Sequence, residues 1–318
     1  MAAVWAAFKK SLNCKTGDSC CVREESQSYT GGKKSAAAAE LRRSGCSRSI
    51  ANLRGVIHSQ YGSSRRQEAA PAPARASCEV GVRCHRCGDR FANLDALESH
   101  HLSRHAVTEL VEGDSSRKVV EIICKAGWTK SENALGRVER VVKVHNAGKS
   151  VARFEEFREM VKGRAAKLPK KHPRCLADGN ELLRFHGTTL SCSLGAGDSS
   201  RLCTSGTCSV CRIIRHGFSA TREVKDGVGV FTTSTSKQAL ECIQETAGGK
   251  ATGVKKALLV CRVIAGRIHR PLENLQDVAA QPGFDSVAGK VGAYASIEEL
   301  YLLNPRALLP CFVVICKS

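Results

Sequence analysis

Nowhere does the sequence offer the roughly 18 consecutive apolar residues of a membrane-spanning helix. It carries no internal repeat, so stacked-repeat architectures are set aside. A secretory leader is also missing. The start, MAAVWAAFKKSLNCK, places a short apolar run ahead of its lysines, the reverse of the usual order. These absences point to a soluble intracellular protein with no membrane partner. Acidic side chains are in deficit: 30 Asp+Glu face 49 Lys+Arg, a formal net charge of +19. That surplus is spread along the chain and is weakest towards its end. It suits acidic partners such as nucleic acid, an anionic protein surface or a phosphate-bearing ligand. A solvated basic surface with no dedicated site is the plain alternative.

Aromatic residues are scarce in the first eighty positions, which are rich in Ser, Ala, Arg and Gly and end near AAPAPARA. Such a segment buries too little apolar surface to offset its ordering entropy, so residues 1–80 are expected to be a disordered basic stretch. Within it, SIANLRGVIHSQY (49–61) spaces Ile50, Leu53 and Ile57 as a short helix would, or does so incidentally. Cysteine, by contrast, is plentiful, at 17 residues. Disulfide scaffolds belong to small secreted chains. In an intracellular protein, clustered cysteines point to metal, and isolated ones in apolar runs, such as Cys261 and Cys311, point to inert core positions.

One cluster has a defined spacing. CHRCGDRFANLDALESHHLSRH reads Cys-x2-Cys-x12-His-x4-His, which assigns Cys84, Cys87, His100 and His105 as ligands of a structural Zn²⁺ in a C2H2 zinc finger. Phe91 and Leu97 stand where a ββα finger needs its small core. So short a unit has no adequate core of its own, and the metal supplies the folding energy. His101 can take the place of His100, with x13 and x3 spacing, although Leu97 favours His100. If this helix entered a major groove, Asn93, Ala96 and Ser99 would face the bases. None is the Arg or Lys of the commonest guanine contact, and one finger covers only about 3 base pairs. Single plant fingers often carry QALGGH on this helix, where this sequence has DALESH. Docking on protein, or general contact with nucleic acid, is therefore preferred to sequence-specific DNA binding.

The remaining chain alternates short strands with scattered helices, the pattern of an α+β domain. The finger, over 81–106, is expected to extend its helix into AVTELVEG. KVVEIIC (118–124) reads as a strand. A helix from about Ser150 places Val151, Phe154, Phe157 and Val161 on one face, and KGRAAKLPKKHP (162–173) reads as a basic connector. Strands are expected at 182–186, 228–233, 257–264, 298–303 and 311–316, with helical pieces near 209–216 and 235–245. Residues 107–172 then form a helical connector and the start of the last domain, which spans 173–318. A second cysteine cluster, Cys192, Cys203, Cys208 and Cys211, ends in CSVC, whose Cys-x2-Cys spacing suits a second metal. Alternatively, Cys208 and Cys211 simply belong to the helix entering RIIRHGF.

The ordered series LRFHGTT, RIIRHGF, GVGVFTTSTSKQA, ALLVCRVIAG, GFDSVAG and EELYLLNPRALLPCFVV resembles the catalytic domain of poly(ADP-ribose) polymerases, across roughly 117–318. GRVERVVKVHNAGKSVARFEEFREMVK is similar to the start of that domain in the mono-ADP-ribosylating members. The arrangement of a basic start, one finger and this domain also resembles a group of plant C2H2 proteins. The resemblance implies an ADP-ribosyltransferase-like fold and a site that cleaves the nicotinamide–ribose bond of NAD⁺ through an oxocarbenium-like state. It places the family's triad on His186, Phe231 and Glu299, with Glu298 the lesser choice for the acid, and the amide-gripping backbone on Gly187. Phe231 can stack but lacks a tyrosine hydroxyl. Gln238 and Glu241 fall where the family has a serine and a second stacking tyrosine.

Two expectations follow, and others remain open beside them. The first is a nuclear (otherwise cytoplasmic) zinc-binding interaction or regulatory protein, with protein or nucleic acid as partner and an inactive polymerase-like domain. The second is an active mono-ADP-ribosyltransferase using His186 and Glu299 on NAD⁺. An NAD⁺ binder without chemistry and a DNA-binding regulator are the others. A backbone-bonded strand histidine and a solvated edge carboxylate are the plain alternatives for His186 and Glu299.

Overall fold

The computed structural model describes residues 81–125, 128, 138–197, 199–243, 254–271, 283–292 and 296–317, with the backbone of 21–22. Apart from that pair, the segment over 1–80 and its helix-like stretch at 49–61 lie outside the described residues. Strand β1 (Cys21–Val22) pairs antiparallel with β2 (Val82–Cys84), which pairs in turn with β3 (Arg90–Phe91). Gly88, at φ +81°, makes the turn between β2 and β3. Helix α1 (Leu94–Arg104) follows, with Asn93 as N-cap accepting a 2.8 Å bond from the Ala96 amide. Leu97 is buried against Val82, Cys84 and Phe91. Among the described residues, three buried side chains at about 1.5–3 kcal/mol each are a weak core for this unit.

After α1 the chain enters a large mixed sheet. Its strands are β4 (Val107–Glu109), β5 (Val138–Val144), β6 (Glu181–Leu190), β7 (Val224–Lys225), β8 (Gly229–Thr233), β9 (Lys255–Ile264), β10 (Ile268–His269), β11 (Ser286–Ala288), β12 (Glu299–Leu302) and β13 (Leu308–Cys316). The spatial order is β10-β11-β12-β8-β6-β9-β13-β5-β4, with β7 beside β8. Pairing is antiparallel except between β10 and β11. The protein is thus a mixed α+β structure.

Helices cover both faces of the sheet. On one lie α3 (Gly148–Lys167), with Phe154, Phe157 and Val161, and α5 (Ser209–His216), with Val210, Ile213 and Ile214. On the other lie α2 (Ser115–Lys125) and α6 (Ser236–Glu241). Strand β9 shows the consequence of period-two alternation: Leu259, Cys261 and Val263 join the first core, Leu258 and Val260 the second. Because both faces are covered, ALLVCRVI is apolar at every position but Arg262, which is paired with Glu181. A short helix, α4 (Pro173–Asp178), links α3 to β6 and ends on Gly179 at φ +72°.

Three local expectations are corrected. KVVEIIC lies in helix α2, not a strand: Val120, Ile123 and Cys124 are buried at helical spacing while Ile122 is 56% exposed. The β-branched residues lose their strand preference to that one-sided burial. The helix of the first cluster does not run on. It stops at Arg104, and Val107 pairs with Val144 as part of β4, because Ala106 and Val107 are buried there. The segment 162–173 is not merely a connector, since α3 continues to Lys167 and buries Ala165. Strand β5, inside the similarity to the domain's start, had no separate signal. The strands expected at 182–186, 228–233, 257–264, 298–303 and 311–316 coincide with β6, β8, β9, β12 and β13, and the helical pieces with α5 and α6.

Candidate functional site

Cys84 ends β2, Cys87 sits in the turn, His100 projects from α1, and His105 is the C-cap of that helix. The second imidazole therefore comes from the helix end rather than its face. One ligand atom from each lies within 4.8 Å of the others, a group that can hold a metal ion. Cys87 Sγ and His100 Nε2 are 3.1 Å apart. Ligands about 2.0–2.3 Å from a tetrahedral zinc lie roughly 3.3–3.8 Å from one another, so a small opening of the Cys87–His100 pair and a small closing of the wider ones suffice. His105 Nε2 is buried without a hydrogen-bond partner. An unsatisfied buried polar atom costs about 1–3 kcal/mol, and a bound metal removes that cost. Burial, aided by the positive potential of His100 and Arg86, pushes the His105 pKa down and favours the neutral ring that ligates metal.

His101 is not part of this group. Its ring turns the other way, is buried, and donates from Nε2 to the carbonyl oxygen of His145 at 2.8 Å. The alternative ligand set built on His101 is thereby excluded from the observed arrangement. His145 lies just beyond β5. Arg86, which can only donate, lies 2.7 Å from its Nδ1, so the His145 proton sits on Nε2 and is given to Thr108 Oγ1 at 2.9 Å. Burial, reinforced by the nearby Arg86 and Lys143 charges, lowers the His145 pKa to about 3 and keeps it neutral. Lys149 at the start of α3 pairs with Asp95 and Glu98 of α1, and Ser200 Oγ donates to the Arg104 carbonyl. The metal-site unit is therefore fastened to the sheet on several sides. Of the positions expected to face bases, Asn93 and Ser99 are exposed, but the Asn93 oxygen is engaged as the helix cap.

The second cysteine group also converges. Cys192 follows β6, Cys203 lies in the succeeding loop, Cys208 is the N-cap of α5 and Cys211 stands in its first turn. Their sulfurs lie within 4.8 Å of one another, so this group too can hold a metal ion. Membership of the helix and membership of a cluster are compatible here.

His186, Phe231 and Glu299 lie on three adjacent strands, β6, β8 and β12. His186 is buried, its Nδ1 is 2.9 Å from the Phe231 carbonyl, and its ring meets Phe218 edge-on at 5.2 Å. Burial pushes its pKa down, opposed in part by that hydrogen bond. Glu299 pairs with Thr233 on β12, an interior strand rather than an edge. The ladder between β6 and β8 is a single registered pair, Phe185 with Thr233. Gly187 faces α6 so closely that an added Cβ would lie 2.2 Å from the Ala239 carbonyl oxygen. Gln238 donates to Glu298 at 3.1 Å, and Glu298 also pairs with Lys290 at 3.0 Å. Glu241 is exposed.

Two features had no signal in the sequence. Lys225 Nζ stands 4.0 Å from the centre of the Phe231 ring, on its face, and Tyr301 packs against the same ring at 5.2 Å. The β7–β8 turn brings Lys225 there, and neither residue type nor spacing announces it. The role of His145 as the anchor for His101 depends on a pairing 44 residues apart. Compared with known proteins, the chain matches no family model, and no curated protein aligns with it significantly.

Proposed function

We propose that this protein is a zinc-binding C2H2 finger protein whose finger is built onto an ADP-ribosyltransferase-like domain, and that it serves as an interaction or regulatory module without turning over NAD⁺. Cys84, Cys87, His100 and His105 would hold the zinc ion. The bound ion supplies folding energy that the three-residue core lacks. A closed set of four protein ligands leaves no open position for substrate, which marks a structural ion. The likeness to poly(ADP-ribose) polymerases is supported by the placement of His186, Phe231 and Glu299 on neighbouring strands and by the short β6–β8 ladder beside Gly187.

The observation that carries the non-catalytic reading is Lys225 over Phe231. Stacking of nicotinamide needs an open aromatic face, and the ammonium holds that face through a cation–π contact. The missing phenolic hydroxyl and the Gln238–Glu298 bond act in the same direction, since a triad works only as a complete constellation. With +19 net charge, the favoured partner is acidic: a protein surface or nucleic acid, in the nucleus.

The test is incubation of the purified protein with labelled NAD⁺, followed by thermal shift and label transfer, with Glu299→Gln alongside. No shift and no transfer is the expected result. Transfer that vanishes in Glu299→Gln would establish the alternative, a mono-ADP-ribosyltransferase using His186 and Glu299, which the strand placement favours. Nucleic-acid binding measured at two salt concentrations gives the number of phosphates engaged. An affinity indifferent to salt excludes the electrostatic partner.

A further inference from the structure

We infer that Cys192, Cys203, Cys208 and Cys211 form a second zinc site, a closed tetrathiolate, and that its ion staples the loop over 191–208 against the first metal-binding unit. The second site goes beyond the proposed function and does not depend on it, while the staple's effect on the first site rests on the finger holding zinc. The distances carry the inference. Thiolates about 2.3 Å from a zinc ion lie about 3.8 Å apart along a tetrahedral edge. Cys192 Sγ lies 3.7 Å from Cys208 Sγ and 3.6 Å from Cys211 Sγ. A disulfide would need about 2.05 Å, and all four thiols are free. Four sulfurs from a strand end, a loop and a helix converge on one point, whereas cysteines used as small core residues have no reason to share it.

The surroundings are those of a metal site. Backbone amides of Ser191 and Cys211 face Cys208 Sγ, that of Leu194 faces Cys192, and that of Cys203 faces Cys211. Such amide donors orient and stabilise ligating sulfurs. Cys208 caps α5, where the helix dipole favours a thiolate. The described residues of the loop form no helix or strand, and apart from Cys208 only Leu194 and Leu202 among them bury apolar side chains. Loops of this length without regular structure are uncommon in compact folds, and a metal clip is a usual device for fixing one.

The clip has a consequence for the first site. Ser199, Ser200 and Arg201 of this loop line the same cleft as Cys87, His100 and His105. Ser200 bonds to the carbonyl of Arg104, next to the ligand His105. Fixing the loop therefore fixes a wall of the first metal centre.

Elemental analysis of the intact protein, with Cys203→Ser/Cys208→Ser and Cys87→Ser variants alongside, tests this. Two zinc ions per chain are expected, falling to one in each variant. Zinc lost from the Cys203/Cys208 variant and unchanged in Cys87→Ser would support this site and sink the finger instead. One ion in the unaltered protein that disappears in Cys87→Ser, or two retained in the Cys203/Cys208 variant, would overturn the tetrathiolate. Alkylation mapping of the unaltered protein answers the same question without relying on a variant that folds. The half-exposed Cys192 and Cys203 should resist alkylation until chelator is added, while the buried Cys261 and Cys311 behave identically with and without it. Reaction of Cys192 and Cys203 at the same rate before and after chelation, or their recovery as disulfides, refutes the proposal. Transfer of the finger's zinc to chelator should be severalfold faster in the Cys203/Cys208 variant. An unchanged rate overturns the staple.

Discussion

His101 Nε2 lies 2.8 Å from the carbonyl oxygen of His145, one residue beyond a histidine that faces Cys87. Consecutive residues on α1 therefore face opposite tasks: His100 turns to the metal group and His101 to the sheet. Substituting His101 with Ala should leave zinc content unchanged. It should destabilise the protein by about 2–4 kcal/mol, combining an orphaned carbonyl with a cavity. Urea unfolding read beside zinc content checks this. A loss of zinc equal to that of His100→Ala would mean that His101 is a ligand after all.

Removal of zinc should act locally first. Among the described residues, Val82, Cys84 and Leu97 are the buried apolar members of the first unit's cluster, whereas the sheet has its own cores on both faces. Chelation should therefore abolish amide protection over 82–104 while strands β9 and β13 stay protected. Hydrogen exchange followed by residue mapping reads this directly. Uniform loss across both regions would show that the first unit and the sheet unfold as one.

Much of this was legible from spacing. The Cys-x2-Cys-x12-His-x4-His register placed four ligand atoms within 4.8 Å, and Phe91 and Leu97 took the expected places beside them. The central strands announced themselves as apolar runs because both faces are buried. The second cysteine group was visible only through CSVC, since Cys192 and Cys203 are separated from it by an irregular loop. What spacing missed are the contacts fixed by tertiary packing. Val120, Ile123 and Cys124 give α2 a helical face that β-branched composition disguised, and Lys225 reaches Phe231 only through the turn between β7 and β8.

Glu181 should be the most sensitive charge in the sheet. It is 2% exposed and receives Arg262 Nε at 2.7 Å and Arg158 at 2.8 Å. Glu181→Ala removes the nearest carboxylate of Arg262 and leaves Arg158 and Arg262 to share Glu155, and should cost about 3–5 kcal/mol. The double change Glu181→Leu/Arg262→Met should cost less than the single one, because it removes the uncompensated charge along with its partner. Chemical denaturation of the three proteins decides it. A single variant within 1 kcal/mol of the parent, on the scale of an exposed pair, would contradict this view.

Gly187 separates a packing role from a cofactor role. An added Cβ there would lie 2.2 Å from the Ala239 oxygen and 2.8 Å from Ile243. Gly187→Ala should thus displace α6 and cost about 1–3 kcal/mol whether or not any NAD⁺ is present. Thermal unfolding in the absence of nucleotide makes the measurement. A variant as stable as the parent would shift the explanation of this glycine towards ligand contact.

The buried histidine of β6 gives the domain a pH dependence with a definite sign. Burial holds the folded-state pKa of His186 below its ordinary value, so the folded protein keeps the ring neutral where the unfolded chain takes up a proton. Its contribution is complete above about pH 6.5 and is lost as pH falls from there through the folded-state pKa. The limit is about 1.4 kcal/mol per pH unit for one proton. His101 and His145 are shifted the same way and add to the slope. The informative quantity is therefore the difference between the parent and His186→Gln, both saturated with zinc. The parent should lose more stability than the variant between pH 7 and pH 5, in denaturant midpoints converted with a shared slope. Parallel curves would mean that His186 is as easily protonated in the folded state as in the unfolded chain, and that the Phe231 carbonyl, not burial, sets its titration.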